Sequence, residues 1–327
     1  MDGVTLDRVQ HKGWDAWRIR NGALELILVP QVGGRIMGLY WQGHLVSFTQ
    51  PEREGQTIDV AKVKDIEAKK KEMGFPLWGG DKSWLAPQER WVGGVPFFDL
   101  DSGPYELTVE EEGPDSIVIR MTSHVCRETG MRLERVVQTN IGNPEEWTVT
   151  HRMTNDSSST ARWGLWDVNM ILRPGRVYLP TSRSSPHADG VKTFEEEGES
   201  VGARASVVGE LEDLAVVECR QPRAYKYGVD SREGWMLAVL EVERRGLVGY
   251  SKRVPAKPDW RYAHGTTVEV YNSDRYPYLE MEIHGPLVRL KPGESFAIEE
   301  RQRVFDVPRW PERESEARSY VESRGGA

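Results

Sequence analysis

Two glutamates set two residues apart, Glu280 and Glu282, carry the clearest chemical signal in this chain. They stand in the run Tyr278-Leu279-Glu280-Met281-Glu282-Ile283-His284, which alternates without a break. Such alternation reads as a β-strand, with Leu279, Met281 and Ile283 on one side and Tyr278, Glu280, Glu282 and His284 on the other. The carboxylates then project from one face about 6.6 Å apart along the strand. Like charges that close raise the pKa of at least one where the face is enclosed. A carboxyl group that holds its proton near neutral pH suits general acid–base chemistry. An antiparallel sheet with one wet face gives the same pattern, so other segments must decide between the two.

The segment Ala161 to Ile171 puts Trp163, Leu165, Asp167 and Asn169 on a common face. A wet face has no need of a tryptophan beside an acid and an amide. A sugar site does: the ring covers the apolar C–H face of a pyranose, and polar groups bond its hydroxyls. Core packing is the plain alternative for each tryptophan. Glu269 and Tyr271 share a face in 267–272 in the same way.

The stretch Leu77-Trp78-Gly79-Gly80-Asp81-Lys82-Ser83-Trp84-Leu85-Ala86-Pro87-Gln88 mixes glycines, paired charges, tryptophans and a proline. That is poor strand chemistry and reasonable binding-loop chemistry, so Asp81, Lys82, Trp84 and Gln88 join the candidate ligand contacts. Asp81 beside Lys82 also fits a structural ion pair. Arg35 follows Gly33-Gly34 at the start of a strand, where its fork would hold hydroxyls or a carboxylate, a plain surface arginine being the alternative. Lys226, between Tyr225 and Tyr227, would meet an anionic sugar or lie between rings. His44, His124, His151, His187, His264 and His284 show no ligand spacing, so neither a metal nor another cofactor is expected. No G-x-S-x-G and no phosphate-loop pattern occurs.

These residues need a frame, and the turn chemistry supplies it. Asn21-Gly22 separates two alternating runs, a strong hairpin signal. Gln42-Gly43, Gly113-Pro114, Gly142-Asn143-Pro144 and Lys291-Pro292-Gly293 punctuate the rest. Strands are expected at 16–19, 23–29, 35–41, 44–48, 105–111, 116–123, 131–139, 146–154 and 161–171. Later ones are expected at 223–228, 234–243, 246–253, 267–272, 278–284, 286–290 and 296–304. So many hairpin-linked strands predict an all-β chain, an antiparallel β-sandwich with minor peripheral helices. Residues 57–73 read as a loop or short helical excursion, and 308–327 as a peripheral C-terminal tail. With no linker and no repeat, 1–327 reads as one domain, because large all-β domains often reach this length.

Lys and Arg total 43 against 51 Asp and Glu, a net charge of −8 that argues against nucleic acid or an anionic membrane as main partner. The N-terminus has no run apolar enough for a signal peptide, and no stretch approaches the roughly 18 apolar residues of a span. The two cysteines, Cys126 and Cys219, then read as reduced thiols of a cytoplasmic protein.

The order of these features resembles the galactose-mutarotase-like superfamily. Gly33-Gly34-Arg35-Ile36 is similar to its N-terminal segment. Tyr278 to Glu282, through Gly285-Pro286 to Leu290-Lys291-Pro292-Gly293-Glu294, is similar to its catalytic strand and final hairpin. Gly79-Gly80-Asp81-Lys82 with Ala86-Pro87-Gln88 looks like an uncharacterised branch, and the likeness spans roughly 20–305. The resemblance implies a β-supersandwich with a sugar site, in which Glu282 matches the catalytic base, Glu280 is its neighbour and Arg35 matches a binding arginine. Where the aldose 1-epimerases carry two histidines, this chain has Trp78 and the run Trp163 to Asn169. A replacement acid would come from Asp81, Lys82, Asp167, Lys226 or His264. The expected function is therefore an aldose 1-epimerase-like isomerase or related lyase acting on a carbohydrate, neutral or acidic. A non-catalytic carbohydrate-binding or sensing protein and a structural scaffold are the alternatives.

Overall fold

The alternating segments pair into two antiparallel sheets, of twelve and ten strands among the described residues. The structure is a computed structural model that describes residues 3–194, 207–257 and 259–322. The first sheet runs through Thr5–His11, Trp14–Asn21, Leu24–Val29, Arg35–Trp41, Asp81–Ala86, Ala161–Leu172, Tyr278–His284, Val268–Asn272, Tyr225–Val229 and Val191–Phe194. The second is centred on Trp235–Val242, Gly246–Arg253, Ser295–Asp306, Glu146–Asn155 and Met131–Asn140. The sheets pack face to face over one large apolar core, so the expected β-sandwich is the observed fold.

Leu279, Met281 and Ile283 point into that core, as the alternation of their strand predicts. Each such side chain contributes about 1.5–3 kcal/mol on burial, which fixes the strand's register: a one-residue slip would exchange them for Glu280 and Glu282. Directly paired residues of antiparallel strands share a face. The register therefore lays rows of side chains across the outer face of the first sheet. One row is Trp84, Trp166, His284. The next is Lys82, Val168, Glu282, Glu269, Gly228. A third is Met170, Glu280, Tyr271, Lys226. Gly228 lies under Glu269, and a Cβ there would come within 3.0 Å of the Glu269 Cγ.

Six strands are absent from the sequence expectation: Thr5–His11, Asp81–Ala86, Gly175–Pro180, Val191–Phe194, Val208–Leu211 and Leu214–Cys219. Asp81–Ala86 corrects the reading of 77–88 as a binding loop. Every one of its residues is buried, so it shows no alternation, and the proline that argued against a strand falls just after its end. Within 57–73 the chain forms a short 3-10 turn, Val60–Lys62, and a helix, Ile66–Met73, capped by the Asp65 carboxylate accepting from the Ala68 N–H. A C-terminal helix, Glu314–Val321, buries Ala317 and Val321 against the outer face of the second sheet. No helix is long and apolar enough to cross a membrane.

Candidate functional site

A cavity of about 560 Å³ opens on the outer face of the first sheet, above the rows that hold Glu280 and Glu282. Its floor includes Lys226, Glu280, Glu282 and Tyr278, and the strand order explains why they meet. One wall is aromatic. Trp84 and Trp166 stand edge to face at 5.1 Å, and Trp91 stacks on Trp166 at 5.3 Å. Each indole N–H is tied: Trp84 donates to Asp101 at 2.7 Å, Trp91 to the Leu85 carbonyl at 2.9 Å, and Trp166 to Glu282 Oε2 at 2.9 Å. The rings are thus held rigidly, which suits them to stack on a ligand. Phe75 meets Trp84 edge to face at 5.9 Å, and Gln50, Arg53 and Leu77 also line the cavity.

The charged floor is organised around Lys226. Its ammonium lies 2.7 Å from Glu269 Oε2 and 2.8 Å from Glu282 Oε2, over the ring of Trp166 at 4.8 Å. Burial works against that charge, but Glu269 and Glu282 together outweigh it and hold Lys226 above the ordinary lysine range. Burial also opposes the charge on Glu269. There Lys226 prevails, helped by donors from His264 and His284, and the carboxylate stays ionised well below the usual range. Glu282 goes the other way. Burial, with Glu269 and Glu280 beside it, outweighs Lys226 and pushes it up to about 8. Glu282 Oε1 accepts no hydrogen bond. One buried carboxylate is therefore a fixed anion and its neighbour a proton carrier.

Access differs along the floor. The Glu280 side chain is 12% exposed and faces Lys82 at 3.4 Å, and the Lys226 side chain is 14% exposed. Glu282 lies behind them with 1%. Lys82 itself is sealed over Trp84, and burial lowers its pKa despite Glu280.

His264 packs edge-on against Trp166 and contacts Glu269 through Nδ1 at 3.0 Å. The Gln88 backbone N–H donates to His264 Nε2 at 3.4 Å, which places the ring proton on Nδ1. His284 stacks on Trp166, and burial lowers it to about 4 despite Glu269, so it is neutral.

Of the residues singled out in the sequence, Glu280, Glu282, Trp84, Gln88 and Lys226 line the cavity. His264 stands behind its wall. Four others are placed elsewhere. Asp81 and Asp167 face the second sheet, where Arg135 bonds Asp81 and Lys252 bonds Asp167. Their side chains, on two adjacent strands, face inward because partners across the sandwich bond them. Trp163 packs on Phe97 and under Arg90, beside a different depression. Arg35 is fully buried on Asp101 at 2.8 Å, beneath the aromatic wall it helps to anchor. The close approach its glycine pair allows serves this packing: Gly33, at φ +61°, lies against the Asp101 carbonyl.

The sequence reading missed Trp91, Trp166 and the joint role of Glu269 and His284. The face assignment of 161–171 selected the odd-numbered residues, whereas the register opposite Glu282 puts the even-numbered ones outward.

Two buried trios bring metal-ligand atoms together: His264, Glu269 and His284, and, between the sheets, His151, Asp167 and Glu300. In each a lysine ammonium already takes the cation's place, Lys226 on Glu269 and Lys252 on Asp167 and Glu300. The Nδ1 proton of His264 also removes the lone pair a metal would need.

Residues 106–305 match the family described as Domain of unknown function (DUF4380). No curated protein matches the chain. Among solved structures, a candidate aldose 1-epimerase from Klebsiella pneumoniae subsp. pneumoniae MGH 78578 is similar at a TM-score of 0.62 and 12% identity, over 92% of this chain and 83% of that one. A galactose mutarotase-like protein from Lactobacillus casei ATCC 334 gives 0.55 and 8%, over 89% and 100%. One from Clostridium acetobutylicum gives 0.52 and 10%, over 93% and 99%. At such identities the likeness establishes the fold, which is galactose-mutarotase-like as the sequence motifs suggest.

Proposed function

The chain belongs to the DUF4380 family, and we propose that its outer-face cavity binds a carbohydrate and that the protein is an aldose 1-epimerase-like isomerase. The observation that carries this reading is the setting of Glu282. It is a proton-holding carboxyl group with one unpartnered oxygen, at the floor of a cavity walled by three oriented tryptophans. In the proposed reaction the sugar ring lies against the tryptophans. Glu282 acts from its ionised form, which a value of about 8 keeps within reach near neutral pH: that carboxylate takes the proton of the anomeric hydroxyl as the ring C–O bond opens, and returns it on closure to the other anomer. Lys226, which lines the cavity, gives a proton to the ring oxygen and recovers it. Glu280, the more open carboxylate, holds a hydroxyl.

A second reading, sugar binding without turnover, is favoured by one specific observation. Among the described residues no histidine lines the cavity, and Glu282 sits beneath Lys226. Magnetisation-transfer NMR on equilibrium mixtures of neutral and acidic aldoses separates the two. Anomer exchange above background, lost in Glu282→Gln, supports the epimerase. Binding by calorimetry without exchange supports the second reading, and neither binding nor exchange across the panel would remove both.

A further inference from the structure

The cavity has two unlike halves. Tyr278 and Glu282 lie four residues apart on one strand face, which spans about 13 Å, longer than a single pyranose ring. At the Glu282 end stand the three tryptophans. At the Tyr278 end a second aromatic group gathers: Phe48 stacks on Tyr278 at 4.8 Å, and Tyr271 and Tyr276 adjoin them. The volume of about 560 Å³ falls in the range of sites that enclose molecules larger than one sugar.

The second half also carries an excess of positive charge. Arg53 lies over the Trp78 ring at 5.4 Å and makes one long hydrogen bond, to Gln56 at 3.4 Å. Arg275 is exposed at the cavity edge. Neither ion-pairs with a carboxylate among the described residues. Of the lining acids, Asp274 adjoins Arg275, and Glu280, between the two halves, is matched by Lys82 at 3.4 Å, so the two arginines exceed the unmatched acid there by one. An arginine fork held on an aromatic face is suited to a carboxylate.

We propose that the ligand has at least two units. A sugar ring lies at the tryptophan end with its anomeric carbon toward Glu282, and a second, acidic sugar reaches Arg53 and Arg275. This rests on the carbohydrate reading above and names its substrate class: the reducing end of an acidic disaccharide or longer acidic chain.

Calorimetry with glucose, glucuronic acid, cellobiose and cellobiouronic acid tests it. Cellobiouronic acid, whose glucuronate is the non-reducing unit, should bind about tenfold tighter than cellobiose, a gain that shrinks with added salt. In Arg53→Ala/Arg275→Ala the ratio of acidic to neutral disaccharide affinity should fall to about one. Equal affinity for the two disaccharides overturns the inference while leaving the carbohydrate reading intact. So does glucuronic acid gaining as much over glucose, because the anion would then belong to the first ring. Failure of every sugar to bind overturns both.

Discussion

The molecule contains two clusters of alternating acids and bases, one on each side of the same sheet. On the outer face Glu269, Lys226, Glu282 and Glu280 meet beneath a cavity. Between the sheets Asp81, Arg135, Asp167, Lys252 and Glu300 meet with Ser83, His151, Asn169, Tyr250 and Gln302 around them. The ingredients are nearly the same, and the difference is access. The Lys252 side chain is 0% exposed and that of Lys226 is 14%. The inner cluster faces no cavity: Lys252 is held as an ammonium ion because Asp167 and Glu300 outweigh its burial, and the inner oxygens that accept no hydrogen bond, Asp167 Oδ1 and both of Glu300, are sealed between the sheets. In the outer cluster the unpartnered oxygen belongs to Glu282, which lines a cavity. Polar residues in a strand therefore mark a site only where one face of the cluster is open to a ligand.

The largest effect separating the clusters should come from Lys252→Met. Removing one member of a buried ion pair leaves its carboxylates uncompensated, at a cost of about 3–5 kcal/mol. Urea unfolding measures this, and a loss below about 1 kcal/mol would break the account of the inner cluster. Lys226→Met should cost less, about 2 kcal/mol, because water and the cavity partly screen Glu269.

The pH response sharpens the contrast. Native Glu282 holds its proton up to about 8, whereas an ordinary glutamate releases it near 4.5. In that window the native state binds more protons than the unfolded one, so this group's contribution to stability falls as pH rises from 4.5 through 8. Glu282→Gln should flatten that slope. Unfolding midpoints at pH 5, 7 and 9 that stay parallel in wild type and variant would contradict the raised value. The smallest effect is expected from Trp166→Phe, which keeps a ring but deletes a donor to Glu282. It should cost about 1 kcal/mol and raise the Glu282 pKa further, read by carboxyl-selective NMR.

The fold was legible because turn dipeptides and strict alternation recur along the chain. The strand holding Glu280 and Glu282 read correctly because its two faces differ in chemistry. Ala161–Leu172 did not. Its outward residues Trp166, Val168 and Met170 are more apolar than its inward Asp167 and Asn169, and only Lys252, Arg135 and Tyr250, distant in sequence, make that arrangement stable. Asp81–Ala86 was hidden for a related reason, since burial on both faces erases the period. His264, Glu269 and His284 meet only through the pairing of Val268–Asn272 with Tyr278–His284, and no short spacing announces it.

One matched pair of variants tests the central claim most directly. Glu282→Gln and Asp167→Asn make the same chemical change on the two sides of the sheet. With anomer exchange measured by NMR and stability by urea unfolding, Glu282→Gln should abolish exchange in a protein that remains folded. Asp167→Asn should lose stability while its folded fraction exchanges at the wild-type rate. Exchange that survives Glu282→Gln, or that disappears in folded Asp167→Asn, would contradict the assignment of chemistry to the outer cluster and structure to the inner one.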